Sequence, residues 1–481
     1  MTPTVSFRTF GCRLNQTETE AASAAFRAAG FAVLAFDQPA NVVVFNTCTV
    51  TSKAEQKARR ELRLAVRRSP DAVIVATGCY AELDPAALAE LAPRVVVLPG
   101  SRKGALPTLA ADLAAAFAEG LDPLDEARRS VAAAEGASVD PFFFDPGDYR
   151  HRSRAALKVQ DGCNNRCTYC RVCLARGRSV SLDPALALER ARVLEGLGYP
   201  EIVLTGVNLS HYRAGGLGFP GLVELLARET DHVAYRVSSW EPDGVDDAFL
   251  RAFALPRVRP HLHLATQSGS DAVLRAMGRA YRRADVLRAV SDARAAKGDP
   301  FIGMDLIMGF PGEGDDDFAD SVDLIQRTAP AWVHAFTFSP RPGTKAFGMK
   351  PRVPERLAVE RAARVAELAV RGRADFASRR VGKTLLAVPE LADGDRPLAR
   401  TEHDDEGAAL FRARVAANGL SVLVAEPAAR STGPVTVRAV SADYLKLDVR
   451  GLPPDARGEF SCRVTGAANG SDADLAAEYR P

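Results

Sequence analysis

Three cysteines near the middle of the chain have a spacing that suits a reactive metal centre. Cys163, Cys167 and Cys170 form a C-x3-C-x2-C pattern. Cubane iron–sulfur clusters usually take four cysteine ligands, so three thiolates leave one iron with an open coordination position. An open position distinguishes a reactive metal site from a structural one. The pattern therefore predicts a 4Fe-4S cluster that can bind a further molecule.

The open iron suits one cofactor and disfavours the main alternative, zinc. The amino and carboxylate groups of S-adenosylmethionine could chelate that iron, which is the arrangement that radical chemistry from this cofactor needs. Zinc sites usually combine C-x2-C with a second pair of cysteines or histidines. No such pair follows within the next thirty residues, and we therefore favour the cluster.

A second set of cysteines lies in the first 80 residues. Cys12, Cys48 and Cys79 each follow a short apolar run typical of a buried parallel strand. The carboxyl ends of parallel strands share one edge of the sheet, where ligands bind. We therefore expect the three thiols to converge on a second cluster with its own open iron. The alternative is that they are ordinary small buried residues at strand ends.

Composition indicates a globular, metal-using protein. The chain has 481 residues, 47% hydrophobic, with a net charge of +2. This length suggests about three domains, and the small charge means that any nucleic-acid surface is local. No apolar run approaches a membrane span, so we expect a cytoplasmic protein without a membrane partner. Eight cysteines in a reducing compartment favour metal or redox chemistry over disulfides.

The order of predicted elements indicates an α/β protein in three parts. Residues 1–135 alternate strands and helices as an open α/β sheet domain, and residues 149–375 repeat this in about six units, as a partial (β/α)6 barrel. Residues 380–468 contain short strands of a small β-barrel, among them an apolar run at 420–425, with an acidic insertion at 393–409. Cys163, Cys167 and Cys170 then follow the first barrel strand, at the face where such barrels hold their chemistry.

Several stretches together resemble the methylthiotransferase family of radical S-adenosylmethionine enzymes. The family has an amino-terminal cluster domain, a radical barrel and a carboxyl-terminal RNA-binding barrel called TRAM. The matching stretches are the motif at 163–170, Thr9-Phe-Gly-Cys-Arg-Leu-Asn-Gln16, Asn46-Thr-Cys-Thr-Val-Thr51, Thr77-Gly-Cys-Tyr80, Ala175-Arg-Gly-Arg178, Leu204-Thr-Gly-Val-Asn208 and Arg341-Pro-Gly-Thr344.

The resemblance implies an enzyme with two 4Fe-4S clusters, one on Cys12, Cys48 and Cys79 and one on Cys163, Cys167 and Cys170. Residues 15–20 and 46–51 look most like the MtaB branch, which methylthiolates C2 of N6-threonylcarbamoyladenosine at tRNA position 37, beside the anticodon. Alternatives are isopentenyladenosine in tRNA, an aspartate of a ribosomal protein, or a non-catalytic iron–sulfur protein that binds tRNA.

Contacts to S-adenosylmethionine are expected near the ends of the barrel strands, with loop capping as the alternative for each. The candidate residues are Tyr169, Gly206, Asn208, Ser239 and Gln267.

Two partners and several side chains complete these expectations. The chemistry requires a reducing electron donor protein and a sulfur source. The tRNA is expected to contact basic residues of the helix at 52–68 and cations around Tyr444 in the last domain. Cys173, an extra thiol, is expected to pack beneath the cluster, and His261 and His263 are expected in the core.

Overall fold

Two α/β units and a closed β-barrel follow one another along the chain. The computed structural model describes residues 2–136, 139–143, 154–390, 436–452, 458–468 and 472–480. The predicted fold class is confirmed in each unit. The predicted apolar strand at 420–425 and the acidic segment at 393–409 lie outside the described residues.

The first unit is a parallel sheet of five strands in the order β2-β1-β3-β4-β5. The two central strands are buried along their whole length because helices cover both faces of the sheet, which explains their continuous apolar sequence. The strands are β1 (Thr4–Thr9), β2 (Ala32–Leu34), β3 (Val42–Thr47), β4 (Val73–Gly78) and β5 (Val95–Val97). The helices are α1 (Arg13–Ala28), α2 (Ser52–Arg68), α3 (Cys79–Leu83), α4 (Pro85–Ala89), α5 (Leu106–Glu119) and α6 (Pro123–Glu135).

The second unit is an open barrel made of two parallel sheets. One has the order β12-β9-β6 and the other β13-β14-β15-β16, and Ser238 alone separates β12 from β13. The barrel strands are β6 (Ala155–Lys158), β9 (Glu201–Thr205), β12 (Ala234–Val237), β13 (Ser239–Trp240), β14 (His261–Gln267), β15 (Phe301–Met308) and β16 (Trp332–Thr337). Short hairpin strands are β7 (Gln160–Asp161), β8 (Val180–Ser181), β10 (Arg213–Ala214) and β11 (Leu217–Gly218).

Helices pack on the convex side of this barrel. They are α8 (Pro184–Gly196), α9 (Phe219–Glu229), α10 (Asp247–Ala254), α11 (Asp271–Met277), α12 (Arg283–Lys297), α13 (Asp315–Thr328) and α14 (Glu355–Ser378). The apolar residues of the strands that face them form one continuous core. The short helix α7 (Val172–Arg176) lies instead just after Cys170 and contacts α3 of the first unit. No helix in the described part of the chain is both long and apolar enough to cross a membrane.

The third unit is a closed barrel of five strands in the order β17-β18-β19-β21-β20. Its strands alternate buried and exposed residues, because one face lines a small apolar core. They are β17 (Thr384–Pro389), β18 (Thr436–Ser441), β19 (Lys446–Arg450), β20 (Phe460–Ala467) and β21 (Leu475–Arg480).

A buried carboxylate joins the second and third units. Glu201 accepts hydrogen bonds from Arg236 Nε at 2.7 Å and from Arg259 Nε at 2.9 Å. The same two arginines reach the small barrel, since Arg236 Nη2 donates to the Ala442 carbonyl at 3.1 Å and Arg259 pairs with Glu459. Although burial opposes ionisation, the arginines hold the pKa of Glu201 well below its ordinary value.

Replacing this carboxylate is expected to weaken the fold strongly. Glu201→Ala leaves Arg236 buried without its charge partner and leaves Arg259 paired with Glu459 alone, which costs about 3–5 kcal/mol. Denaturant titration measures the change in the free energy of unfolding. The matched control is Glu229→Ala, which removes a surface pair with Arg192 at 3.3 Å and should cost less than about 1 kcal/mol. Equal losses in the two variants would contradict the assigned role of Glu201.

Candidate functional site

The three amino-terminal cysteines converge at the carboxyl edge of the first sheet, as predicted. Gly11, which precedes Cys12, has φ +91°, and a Cβ atom added to it would lie 2.6 Å from Cys48 Sγ. Gly78, which precedes Cys79, has φ +101°, and an added Cβ would lie 2.3 Å from the Thr47 carbonyl oxygen. Only glycine tolerates this conformation and this close approach together. The two glycines therefore allow the three cysteine loops to meet.

The surroundings of the first triad change the pKa of its central thiol, Cys48. Burial, together with the neighbouring Cys79 and Cys12, raises the pKa of Cys48 to about 12. Such a thiol is protonated at neutral pH, so a bound cation is needed to stabilise the thiolate. The environment therefore suits metal binding rather than a free reactive thiol.

The second triad lies in the loop after β7, and hydrogen bonds from the barrel reach its sulfurs. Arg279 Nη1 donates to Cys167 Sγ at 3.0 Å, and Asn208 Nδ2 donates to Cys163 Sγ at 3.9 Å. Burial raises the pKa of Cys170 to about 12, with Cys167, Cys173 and Cys163 adding to the shift. Donors to sulfur of this kind tune iron–sulfur clusters.

The donor set of each triad suits a cluster with one open iron. The thiols of each triad are close enough to shift the pKa of Cys48 in the first and of Cys170 in the second. Three thiolates leave one iron of a cubane without a protein ligand, and such an open position is typical of a reactive metal site.

Polar contacts from residues next to the cysteines hold the two triads against each other. Arg171, which follows Cys170, donates through Nη1 to Thr49 Oγ1 and to Glu55 Oε1, both at 3.2 Å. Thr49 itself follows Cys48. Arg341 from the barrel also pairs with Glu55. The site is thus formed between the two units, with one triad on each side.

A buried ion-pair network forms a second link beside the first triad. Arg176 Nη1 donates to Glu18 Oε1 at 2.8 Å and to Asp161 Oδ1 at 2.9 Å, and its Nη2 donates to Asn15 Oδ1 at 2.7 Å. Lys158 also contacts Glu18, at 2.8 Å. The Arg176 guanidinium interacts electrostatically with Cys12 and Cys79.

Comparisons with known proteins agree with this arrangement. Residues 4–100 match the family model described as uncharacterized protein family UPF0004, and residues 157–325 match that of the radical SAM superfamily. The threonylcarbamoyladenosine tRNA methylthiotransferase MtaB of Treponema pallidum is 42% identical over 80% of this chain and 91% of its own. The chain belongs to the radical S-adenosylmethionine methylthiotransferase family.

Two further matches define how far this relationship extends. The tRNA-2-methylthio-N(6)-dimethylallyladenosine synthase of Acidothermus cellulolyticus is 35% identical over 76% of this chain and 73% of its own. The radical S-adenosylmethionine methyltransferase TsrM of Kitasatospora setae shares the fold, with a TM-score of 0.50, 16% identity, and coverage of 72% of this chain and 77% of its own. Methylthiotransferases of this family use two 4Fe-4S clusters and S-adenosylmethionine, as does this member.

The five residues predicted to contact S-adenosylmethionine have different neighbours in the structure. Asn208 contacts Cys163, as described above, and a Cβ added to Gly206 would lie 2.8 Å from Gln160 Oε1. Tyr169 packs edge-on against Phe310, with ring centroids 6.4 Å apart. Ser239 is an exposed residue at the start of β13. Gln267 ends β14 with φ 65°.

Sequence reasoning missed Arg279, which connects several groups of the site. It contacts Cys167 and also pairs with Glu241. Burial raises the pKa of Glu241 to about 7, against the opposing effect of Arg279. Asn208 and Asn165 each donate to Glu241 at 3.4 Å. Arg279 lies just after α11 and belongs to no recognisable motif, so only the tertiary structure reveals it.

Tyr444 lies elsewhere than predicted, whereas Cys173 lies next to the second triad. Tyr444 does not face an RNA surface, because it packs between the units against His261, with ring centroids 4.7 Å apart, and under the Arg236 guanidinium at 5.1 Å. Cys173 packs beside the second triad, with its Sγ 3.8 Å from the Cys170 carbonyl oxygen.

The glycine beside Cys12 provides a test of the converging loops. Gly11→Ala places a methyl group against Cys48, whereas Gly30→Ala has a similar φ of +95° and meets nothing within 4 Å. The control should cost about 1–2 kcal/mol through its backbone conformation. Gly11→Ala should cost about 1–3 kcal/mol more through the steric conflict. Denaturant titration compares the two, and equal losses would show that the loops have room between them.

Proposed function

We propose that this protein is a tRNA methylthiotransferase that replaces the C2 hydrogen of N6-threonylcarbamoyladenosine, next to the anticodon, with a methylthio group. One observation carries the proposal, namely two separate triads of cysteine thiols that are joined through Arg171 and Thr49. A rival that only binds tRNA would not need two such triads side by side. The 42% identity with the relative of that name supports the choice of nucleoside.

Each triad has a separate role in this proposal. Cys163, Cys167 and Cys170 hold the cluster that binds S-adenosylmethionine, and Cys12, Cys48 and Cys79 hold the other. When bound, the clusters and cofactor supply the electron, the radical that removes the hydrogen, the sulfur and the methyl group. Two clusters are required because one open iron cannot hold both the cofactor and the sulfur.

The protein's own residues set the electronic environment and the geometry of these sites. Arg279 brings a positive charge to Cys167 Sγ, which favours the more negative, reduced state of a cluster there. Glu241 orients Arg279 through their ion pair. Arg171 and Arg341 fix the second triad against Glu55 of the first unit. The two sites therefore keep one relative position during the reaction.

We propose that the tRNA backbone lies along exposed cations of the first and third units. Helix α2, which starts four residues after Cys48, presents Lys53, Arg60 and Arg67 to solvent, while Ala58 and Leu62 are buried. Arg450 and Arg463 are exposed on the small barrel. Cations arranged in this way attract phosphates. The enzyme then works in the cytoplasm, with an electron donor protein and a separate sulfur source.

Nucleoside analysis tests the substrate directly. Deleting the gene should abolish 2-methylthio-N6-threonylcarbamoyladenosine in bulk tRNA and raise its unmethylthiolated precursor, as measured by mass spectrometry of digested tRNA. Loss of methylthiolated isopentenyladenosine instead would identify the alternative nucleoside. Unchanged tRNA together with a mass loss on a ribosomal protein would contradict the proposal and favour the protein substrate.

Iron analysis tests the ligand assignment. Reconstituted protein should contain about eight irons per chain, two cubanes of four. Cys48→Ala and Cys167→Ala should each lower this to about four, and Cys167→Ala should also abolish cleavage of S-adenosylmethionine while tRNA binding persists. Cys173→Ala is the matched control, because its thiol lies next to the triad without being one of the three, and it should retain full iron. Full iron in Cys167→Ala would refute the assignment.

A further inference from the structure

A polar group of side chains lies on the concave face of the barrel and has no part in the chemistry described so far. It consists of His263 on β14, Asp305 on β15 and His334 on β16. Strand alternation separates these residues from the core: Leu262 and Leu264 pack against the helices, so His263 between them faces the opposite, concave side.

The three side chains lie close enough to act on one ligand. Their ligating atoms all lie within 4.8 Å of one another, and His263 Nε2 is 3.1 Å from Asp305 Oδ1. Gly303 makes room for this pair, since a Cβ added there would lie 2.8 Å from His263 Nδ1. Although burial opposes the charged imidazolium, Asp305 raises the pKa of His263 above its ordinary value.

The group remains accessible from the concave side. His334 is exposed, and the side chains of His263 and Asp305 are 15% and 25% exposed. Trp332 Nε1 donates to His334 Nδ1 at 3.2 Å. An imidazole that accepts at Nδ1 carries its hydrogen on Nε2, so His334 can donate a hydrogen bond from that nitrogen.

The position of the group relates it to the second triad. His263 lies two residues before Ala265 on β14. The Ala265 carbonyl oxygen accepts hydrogen bonds from Tyr281 and Arg279, and Arg279 also contacts Cys167. Two strand residues span roughly 7 Å. The polar group therefore lies, through His263, on the same strand as the carbonyl that contacts Arg279, two residues nearer the amino end of that strand.

We propose that His263, Asp305 and His334 bind the threonylcarbamoyl substituent of the target base. Threonine linked through a carbamoyl group keeps a free carboxylate and a hydroxyl. The His334 N–H donates to the carboxylate, and Asp305, held in place by His263 Nε2 at 3.1 Å, accepts from the hydroxyl. This inference rests on the proposed function and names the residues that select its substrate.

The same group disfavours an apolar substituent. A dimethylallyl group offers no hydrogen bond, so binding it here would remove water from three polar side chains without replacing their partners. Sites built to bond a polar substrate group reject the analogue that lacks it much more strongly than apolar pockets reject a polar one. The polar group therefore selects threonylcarbamoyl over isopentenyl-type adenosine.

Kinetics with two tRNA substrates test the proposal. His334→Phe keeps a ring and removes the N–H, and Asp305→Asn keeps the shape and removes the charge. Each should lower kcat/KM for tRNA carrying threonylcarbamoyladenosine by about ten- to a hundredfold, mainly through KM. Activity on the same tRNA with unmodified adenosine, however low, should not change, and iron content should stay at the wild-type level. His232→Phe, a change of an exposed loop histidine, is the matched control.

Two results would overturn the inference. Wild-type kcat/KM in both His334→Phe and Asp305→Asn would show that the group does not contact the substituent. One equivalent of zinc in wild-type protein that is lost in these variants would make the group a metal site instead. Failure of the proposed function is distinguishable, because the wild-type enzyme itself would then not act on threonylcarbamoyladenosine.

Discussion

The buried carboxylate of Glu18 is the constraint on which the arrangement of the site depends. It meets Lys103 from its own unit and Lys158 and Arg176 from the barrel. Any one of these charges left buried without its partner would cost several kcal/mol, so the two units have one favourable way of docking. The separation of the cysteine triads is therefore fixed by the buried ion pairs of this interface.

Parallel strands explain why two cysteine sites from different units can meet at all. Strands β3 and β4 direct Cys48 and Cys79 to the carboxyl edge of one sheet, and the barrel presents its cysteine loop at its own carboxyl edge. Docking edge to edge brings the loops together, while the rigid strands keep them in place. Gly11 and Gly78 then remove the side chains that would hold the loops apart.

The sequence predicts what is local and misses what is set by docking. Apolar runs predict the strands that lead to Cys12, Cys48 and Cys79, and the structure has strands there, because such runs are encoded within a few residues. Arg176 meets Glu18 across 158 positions of sequence, and no pattern announces such a pair. For the same reason Tyr444 was expected at an RNA surface but fills an interface, and His263 was expected in the core but faces the concave side.

The concave face also separates residues that build the fold from residues that serve the reaction. Leu262, Leu264 and Met304 bury the convex side of the sheet and would hold it whatever lay opposite. Placing His263 against Asp305 in a partly buried position costs desolvation that an apolar pair would avoid. The His263–Asp305 pair does not stabilise the fold in return, since the strands pair and pack without it. A polar group kept where the scaffold does not need it is best explained by a polar ligand, which is the physical reason for proposing that the substituent of the target base binds there.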